Sequence, residues 1–492
     1  MNSLRLGEGS DQTLAAEAAD GLRRFRGELY RCLTRRADEL FELTDALLCT
    51  EGSVSSLVGL CLAPEHRRGH GALYDALNHG SLDADRLRTT LAGLALPRMF
   101  GRIVLAVDAT PWLRPDAQTC PERLFCHVYG RGRGRGADQR IPGWPYQLVV
   151  ALDSGPTSWT AVLDAVRLGP AEDPTAVTAA QLRAVVGRLC AAGHWQVGDR
   201  PIMVMLDSGY DVCRLAFVLA DLPLQLVGRV RADRIMLAPA PPRTPGRPGP
   251  IGRPRRHGAV MALTDPGGWP APSTRAVTDT PRYGRAEAAA WDRMHPRLTH
   301  RGPWADHAGR LPIVEGTLIR LQVEHLPGRR EAKPIWLWSS HTDADTDDPP
   351  AEVIRCWQAY LRRFDEEHTI RFWKQTLGWT TPKIRSPQAA DRWTWLIVAA
   401  YTQLRLARAL AVDLRRPWER PLPPERLTPA RVRRGFRHLR AKITQPARAP
   451  KPSHPGPGRP AGSRNRHHAT RYDVGKTVTR NTAKTKNLQV KG

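Results

Sequence analysis

Two short apolar runs that each end in an aspartate constrain the fold of this chain more than any other feature. Arg102–Val107 leads into Asp108, and Pro201–Leu206 leads into Asp207. Continuous apolar runs of this length are typical of strands that are buried on both faces of a sheet. If the two strands lie side by side, the sequence predicts a rigid pair of carboxylates at their ends.

The segments around these runs indicate the order of the remaining elements. Trp144–Leu152 and Ser158–Leu168 read as strands, and Leu224–Val230 reads as a further strand after Asp207. Helical periodicity covers Ala179–Ala192 and Val212–Ala220. The resulting order of three strands, helix, strand, helix and strand is that of an RNase H-like fold, an α/β class with a mixed sheet.

The rest of the chain divides by composition into flanking and inserted segments. Residues 1–98 read as a helical N-terminal domain, which suits a DNA-binding module and a structural cap equally well. The first part of the core spans 99–234, and a segment rich in Pro, Gly and Arg, then β-rich, interrupts it over 235–345. Helices complete the core over 346–445, and 446–492 is predicted to be a disordered basic tail with 11 Lys and Arg against the single acid Asp473.

The overall charge favours a polyanionic partner. The 74 Lys and Arg outnumber the 48 Asp and Glu and leave a formal charge of +26, which is typical of proteins that bind DNA or RNA. The chain contains neither a signal-like run nor an apolar stretch of membrane-spanning length, and its eight cysteines form no CxxC pair. We therefore expect a cytoplasmic, nucleoid-associated protein without a membrane partner.

One face of a predicted helix over 351–377 carries an unusual set of side chains. Tyr360, Arg363, Glu367 and Lys374 are separated by 3, 4 and 7 residues, and at about 100° per residue they fall within a stripe about 60° wide. A solvated face could carry the same residues. Glu366 lies off the stripe by about 100° and is predicted to be solvated.

The motifs resemble those of a large group of bacterial insertion-sequence transposases of the DDE class. Tyr360, Arg363, Glu367 and Lys374 match the group's Y-(2)-R-(3)-E-(6)-K signature, and VDAT at Asp108, LDSGYD at Asp207 and the β-rich insertion are also similar. The resemblance implies that Asp108, Asp207 and Glu367 are catalytic metal ligands. It implies DNA-binding roles for Tyr360, Arg363 and Lys374, with Trp336 or Trp338 stacking on a flipped base.

Several basic segments outside these motifs could also contact DNA. The loop 131–136 alternates Arg and Gly, and the tripeptide Gly-Arg-Pro occurs at 246–248, 252–254 and 458–460. Narrow peptides of this kind can enter the minor groove, although general attraction to phosphates is the default interpretation. The loop is equally well read as solvated.

Together these features predict a DNA transposase that cleaves at transposon ends and transfers strands into target DNA. The expected cofactor is a pair of Mg²⁺ ions, for which Mn²⁺ substitutes, because clustered carboxylates stabilise both oxygens of a phosphoryl transfer. The expected partner is double-stranded DNA, and the resemblance implies a homodimer in the synaptic complex. Alternative readings are a DDE nuclease without strand transfer and an inactive, domesticated DNA-binding protein.

Overall fold

The computed structural model of the chain describes residues 5–128, 139–155, 157–241, 255–326, 332–451, 460–464 and 467–477. The predicted Arg-Gly loop at 131–136 and the Gly-Arg-Pro segments at 246–248 and 252–254 lie outside the described residues, as does most of the one at 458–460. The helices are α1 (Arg5–Cys32), α2 (Ala37–Cys49), α3 (Leu57–Cys61), α4 (His70–His79), α5 (Ala84–Ala92), α6 (Pro174–Ala191), α7 (Val212–Val218), α8 (Pro349–Arg362), α9 (Phe364–Gln375), α10 (Pro387–Leu406) and α11 (Pro429–Arg440).

The strands mostly belong to one large sheet. They are β1 (Leu33–Arg35), β2 (Ser81–Leu82), β3 (Val104–Leu113), β4 (Leu124–Val128), β5 (Gln139–Leu152), β6 (Thr160–Arg167), β7 (Ile202–Leu206), β8 (Leu224–Val230), β9 (Ile235–Pro239), β10 (His257–Ala262), β11 (Thr274–Thr280), β12 (Gly284–Pro296), β13 (Gly316–Val323) and β14 (Ile335–Ser339). β1 and β2 pair with each other, and the other 12 strands form the large sheet.

The centre of the sheet follows the order β6-β5-β3-β7-β8. β3 is parallel to β7 and β7 to β8, whereas β5 is antiparallel to both β3 and β6. A mixed α/β class with a large mixed sheet was predicted, and this prediction is confirmed. The order arises because each parallel connection needs a crossover, which α6 supplies between β6 and β7 and α7 between β7 and β8.

Each face of the central strands is covered by helices. Alternate residues of β3 point to opposite sides, so Leu105 and Val107 pack in the core that contains α6 and α7, while Val104 and Ala106 pack in the core that contains α9 and α10. Because both faces are buried, the strands read as continuous apolar runs rather than as alternating ones.

The insertion extends the central sheet beyond β8. β14 pairs with β8 in antiparallel fashion, and β13, β12 and then β9 follow in order. The strands predicted over 313–324 and 334–339 correspond to β13 and β14, and four further strands, β9 to β12, also precede the long helical region. The insertion is therefore joined to the core by backbone hydrogen bonds.

The N-terminal helices share a core with the C-terminal ones. Buried side chains of α1, α2 and α10 belong to one apolar cluster. Within it, Arg26 of α1 pairs with Asp45 of α2 at 2.7 Å and also donates to Gln403 of α10 at 2.6 Å. The N-terminal helices therefore pack onto the same body as the C-terminal ones, and the DNA-binding role predicted for 1–98 stays a prediction.

Two stretches of the basic tail make hydrogen bonds to the core. The backbone N–H of Tyr472 donates to Gln118 at 2.9 Å, and Arg123 donates to the Tyr472 carbonyl at 3.0 Å. Arg67 and Arg68 donate to the carbonyl of Arg448 at 3.0 and 2.9 Å. In these two stretches the tail contacts the core through the Gln118 carbonyl and three arginine side chains, and the disorder of the tail as a whole stays a prediction. The final residues, 478–492, lie outside the described part of the chain.

Candidate active site

Asp108 and Asp207 lie side by side because of the register between β3 and β7. Val107 pairs with Leu206 in the parallel ladder, so the residue that follows each of them lies at the same level. β3 does not end at Asp108 as predicted, but continues to Leu113 along β5, where Asp108 pairs with Leu148. Asp108 therefore marks the point where β3 loses its β7 neighbour.

Both aspartates are oriented by the backbone that follows them. The N–H of Ala109 donates to Asp108 at 2.9 Å, and the N–H of Ser208 donates to Asp207 at 2.7 Å. Such bonds to a carboxylate favour its charged form and hold its rotamer. The side chains remain reachable, since Asp108 is 21% and Asp207 37% exposed.

The third acid comes from the start of α9. The predicted single helix over 351–377 is interrupted at Arg363, which separates α8 from α9. Asp348 caps α8 by accepting from Ala351 at 3.1 Å, and two prolines occupy the first turn, where they fit because their missing N–H would be unpaired there in any case. Glu367 lies in the first turn of α9, with its side chain 42% exposed.

The interruption is a tight turn stabilised by two short-range hydrogen bonds. The N–H of Arg363 donates to Tyr360 at 3.1 Å, and the N–H of Glu366 donates to Arg363 at 3.0 Å. A turn with such i→i−3 bonds advances about 120° per residue, compared with about 100° in an α-helix. The residues after Arg363 are therefore rotated relative to the stripe that a continuous helix would present.

The Arg363 guanidinium lies among the three acids. It is 3.2 Å from Glu367, 3.5 Å from Asp108 and 4.0 Å from Asp207, with its side chain 5% exposed. Its central carbon lies 5.8 Å from the centroid of the Tyr360 ring and 5.3 Å from the centroid of the Phe364 ring. The sequence predicted Arg363 as a phosphate-binding residue, and it did not indicate that the same side chain would bridge all three carboxylates.

Burial sets the protonation of the first acid. It raises the pKa of Asp108 to about 6, against the lowering effect of the Arg363 charge and with a further raising effect from Asp207. Two carboxylates that share a site disfavour each other's ionised form, and a cation between them relieves this repulsion. The site is thus an electrostatic cluster that a positive charge stabilises.

Glu366 is buried, contrary to the prediction that it is solvated. Its side chain is fully inaccessible, and neither carboxylate oxygen has a hydrogen-bond partner among the described residues. Burial, followed by the charge of Asp108, raises the pKa of Glu366 well above its usual range. The prediction was wrong because it assumed that a residue off the stripe faces solvent, whereas α9 also buries the side that carries Glu366.

Tyr360 and Lys374 are also next to the acids, but they are held by protein groups. Tyr360 is 2% exposed and packs against Arg363. The Lys374 ammonium donates to the Thr110 hydroxyl at 2.6 Å and to the Pro111 carbonyl at 3.1 Å. Burial lowers the pKa of Lys374 to about 8.

The two tryptophans predicted to stack on a base pack inside the insertion. Trp336 is 2% exposed, with ring centroids 5.1 Å from Trp269 and 5.7 Å from Trp291. Trp338 is fully buried and donates to the Met294 carbonyl at 2.9 Å. Neither indole presents a free face, so the stacking role stays a prediction that would require a rearrangement.

A buried polar network beneath the acids was not predicted. Gln147 of β5 donates to Gln181 of α6 at 2.8 Å and accepts from Thr178 at 3.0 Å and from Tyr210 at 3.4 Å. Gln147 pairs with Ala109, the residue after Asp108. The only sequence signal was a polar residue in the apolar run of β5, which by itself indicates no partner.

The donor set suits a hard divalent cation. Carboxylate oxygens are the protein ligands that Mg²⁺ and Mn²⁺ prefer. Within the described residues, however, no three His, Cys, Asp or Glu side chains come close enough to form a ready metal site. The guanidinium of Arg363 lies between the carboxylates in the position that a cation would take.

Residues 28–297 match a family described as DDE superfamily endonuclease. No individual curated protein matches the chain. No helix in the described part of the chain is long and apolar enough to cross a membrane.

The matched segment covers 270 of the 492 residues, which is more than half of the chain. It includes α2 to α7 and the strands that carry Asp108 and Asp207, and it ends before α8. Families of this kind generally use divalent metals and act on DNA. From its match and its sheet we conclude that this chain belongs to the DDE superfamily endonucleases.

Proposed function

We propose that the protein is a DNA transposase that cuts at the ends of a mobile element and joins them to target DNA, using an RNase H-like core. The observation that carries this proposal is the cluster of Asp108, Asp207 and Glu367 around one guanidinium. The strand order β6-β5-β3-β7-β8 supports the assignment of the core.

In this proposal Asp108, Asp207 and Glu367 hold the metal ions. The chemistry that two bound Mg²⁺ or Mn²⁺ ions supply is activation of a water or 3′-hydroxyl and stabilisation of the attacking and leaving oxygens. The rigid backbone bonds to Asp108 and Asp207 fix the direction of both carboxylates. Hydrolysis at the element's end leaves a 3′-hydroxyl, which then attacks a target phosphodiester, so no covalent enzyme intermediate is needed.

In this proposal Arg363 and Lys374 exchange their contacts with protein groups for contacts with DNA phosphates. An arginine matches phosphate oxygens as a bidentate fork, and a lysine contacts them as a point charge. When Arg363 turns towards a phosphate, its contacts with the three acids break, and the carboxylates become free to bind cations. Tyr360 packs on the guanidinium and positions it. The working form is proposed to be a homodimer that pairs two ends.

Cleavage of a plasmid that carries the gene's native flanks tests the proposal. We expect Mg²⁺-dependent cuts at the element's ends and, with target DNA present, joined products. Asp108→Ala, Asp207→Ala and Glu367→Ala should bind the ends without cutting them. Cutting by the variants at the parent's rate would contradict the metal site. Cut ends that are never joined would reduce the function to that of a nuclease.

A further inference from the structure

A groove lined by arginines opens beside the proposed catalytic acids. It encloses about 640 Å³ and begins at Ser208, the residue after Asp207. From there it runs between the end of β8 and the segment 296–301, which follows β12. A smaller adjoining space of about 320 Å³ shares Ser208 and Arg229 with it. The groove thus reaches the residue that follows Asp207, while the three proposed catalytic acids themselves do not line it.

The groove carries more arginines than acids, because its only two carboxylates among the described lining residues are Asp211 and Asp233. Five arginines line it: Arg229, Arg231, Arg234, Arg297 and Arg301. Arg231 pairs with Asp233 at 2.5 Å. The other four make no ion pair with any described residue. Unpaired arginines close together repel one another, so their clustering is costly unless a polyanion neutralises them.

The size of the groove favours single-stranded over double-stranded DNA. Its volume is in the range of pockets that enclose a small organic ligand, which corresponds to a short stretch of single strand rather than to a duplex. Two tryptophans, Trp304 and Trp338, lie behind its wall, but both are buried and expose no face to a base, so the arginines make the contacts. A positively charged groove that follows the backbone is a usual part of single-strand binding sites.

We propose that this groove binds the sugar-phosphate backbone of a single DNA strand where that strand leaves the cleavage centre. This inference rests on the proposed function, since it assigns a path to the DNA that the acids would cut. Arg234, Arg297 and Arg301 contact phosphates, and Arg229 lines the groove together with Ser208, the residue after Asp207. None of the four is among the residues assigned to the metal site.

The groove is tested with a triple variant, Arg234→Ala, Arg297→Ala and Arg301→Ala, and a matched control, Arg275→Ala. Arg275 is an exposed arginine on β11 of the same insertion, outside the groove and without an ion pair among the described residues. Thermal unfolding should show that both variants are folded. Binding of a labelled single-stranded oligonucleotide of about 12 nucleotides is measured in EDTA over a series of salt concentrations.

Loss of three phosphate contacts should make the slope of log affinity against log salt shallower by about 2. The same substitutions should lower affinity about tenfold or more at moderate salt, while the control leaves both values unchanged. A parent-like slope in the triple variant would overturn the groove assignment. A slope changed only for duplex DNA would overturn the single-strand assignment.

Parallel measurements on the parent separate the two proposals. If the parent binds and cuts DNA but the triple variant keeps its slope, only the groove assignment is wrong. If the parent binds DNA and shows the expected slope difference but never cuts it, the groove stands and the catalytic proposal falls. A folded parent that binds no DNA would overturn both.

Discussion

At the scale of residues, two neighbouring glutamates occupy opposite environments. Glu367 is about half exposed and touches Arg363, whereas Glu366 is sealed from solvent without a hydrogen-bond partner in the described structure. The amide of glutamine is nearly isosteric with a carboxyl group and cannot ionise. The pair therefore offers a matched comparison between a proposed metal ligand and a buried acid.

Glu367→Gln should lower Mg²⁺-dependent cleavage by at least about a hundredfold, because a metal ligand supplies several kcal/mol of transition-state stabilisation. Glu366→Gln should retain cleavage within a few fold. Initial rates of plasmid cleavage check both expectations. Loss of activity in Glu366→Gln, with Glu367→Gln active, would reverse the assignment of the third ligand.

Glu366→Gln should also stabilise the protein above neutral pH. Burial raises the pKa of Glu366, so the folded protein keeps a proton that the unfolded chain releases, and stability is lost as pH rises above the unfolded pKa. The variant removes that linkage and should be more stable than the parent at pH 8. Denaturant unfolding at pH 8 and pH 4 checks this, with the gain closing toward the lower pH.

Arg363→Gln should bind Mn²⁺ more tightly than the parent when no DNA is present. The parent's guanidinium competes with cations for all three carboxylates, and glutamine carries no charge to compete. We expect a gain of about three- to tenfold, roughly 1 kcal/mol of competition. Titration with Mn²⁺ followed by electron paramagnetic resonance measures it, and weaker binding by the variant would contradict the competition.

Lys374 should make DNA binding depend on pH near 8. Burial lowers the pKa of this ammonium to about 8, so its charge, and with it any phosphate contact, is lost as pH rises through that value. Affinity for DNA in EDTA should fall severalfold between pH 7 and pH 9. Lys374→Arg keeps its charge throughout and should bind equally at both values. The same pH dependence in this variant would exclude Lys374 as its source.

At the scale of elements, the sequence predicted the strands well and the helix break poorly. The runs that end at Asp108 and Asp207 were identifiable because strands buried on both faces are apolar throughout. The break at Arg363 has neither Pro nor Gly to announce it, and both flanking segments favour helix. Tertiary contacts of α9 stabilise it, such as the 2.9 Å bond between Thr369 and Thr160 of β6.

The roles of individual side chains were harder to predict than their spacing. The four residues of the signature do gather beside the acids, but their contacts depend on neighbours that are distant in sequence. Lys374 reaches Thr110 across 264 residues, and Arg363 reaches Asp108 across 255. Likewise, Trp336 and Trp338 lie on a strand buried on both faces, which residue type alone does not reveal.

The packing of α1 and α2 against α10 predicts that the N-terminal helices are needed for the core to fold. The Arg26–Asp45 pair is almost completely buried, so Asp45→Asn leaves a buried charge without its partner. We expect a loss of about 3 kcal/mol in the free energy of unfolding, in a transition that fluorescence and circular dichroism report together.

Asp20→Asn is the matched control, because the Asp20–Arg23 pair of α1, the helix that carries Arg26, is exposed. An exposed pair contributes between about 0 and 1 kcal/mol, so this variant should unfold like the parent. If Asp45→Asn unfolded in two separate steps, the N-terminal helices would be an independent unit.

At the scale of the whole molecule, the tail combines charge with docking. Residues 478–492 contribute Arg480, Lys484, Lys486 and Lys491 without an acid. Removing them should lower the slope of log affinity against log salt for nonspecific binding of duplex DNA by up to about 3 to 4. The melting temperature should stay unchanged. Binding curves at several salt concentrations check this, and an unchanged slope would exclude these residues from DNA contact.

Removing all of 446–492 should in addition destabilise the core. That deletion takes away the bonds made by Tyr472 and Arg448 and leaves one donor of the buried Arg123 unpaired, whereas Arg67 is exposed and keeps its pair with Glu42. Each lost bond of a buried arginine costs about 1–3 kcal/mol. A melting temperature equal to that of the shorter deletion would show that the docked stretches contribute nothing.

The pairing of β14 with β8 has a mechanical consequence. Ser339 of β14 pairs with Val227 of β8. A hydrogen-bonded ladder therefore connects the inserted strands directly to β8, the neighbour of the strand that leads into Asp207. Such a ladder resists stretching and sliding because a slip of one residue would turn every side chain to the opposite face. The sheet is therefore a rigid connection, which keeps a constant distance between the candidate active site and any ligand that the inserted strands bind.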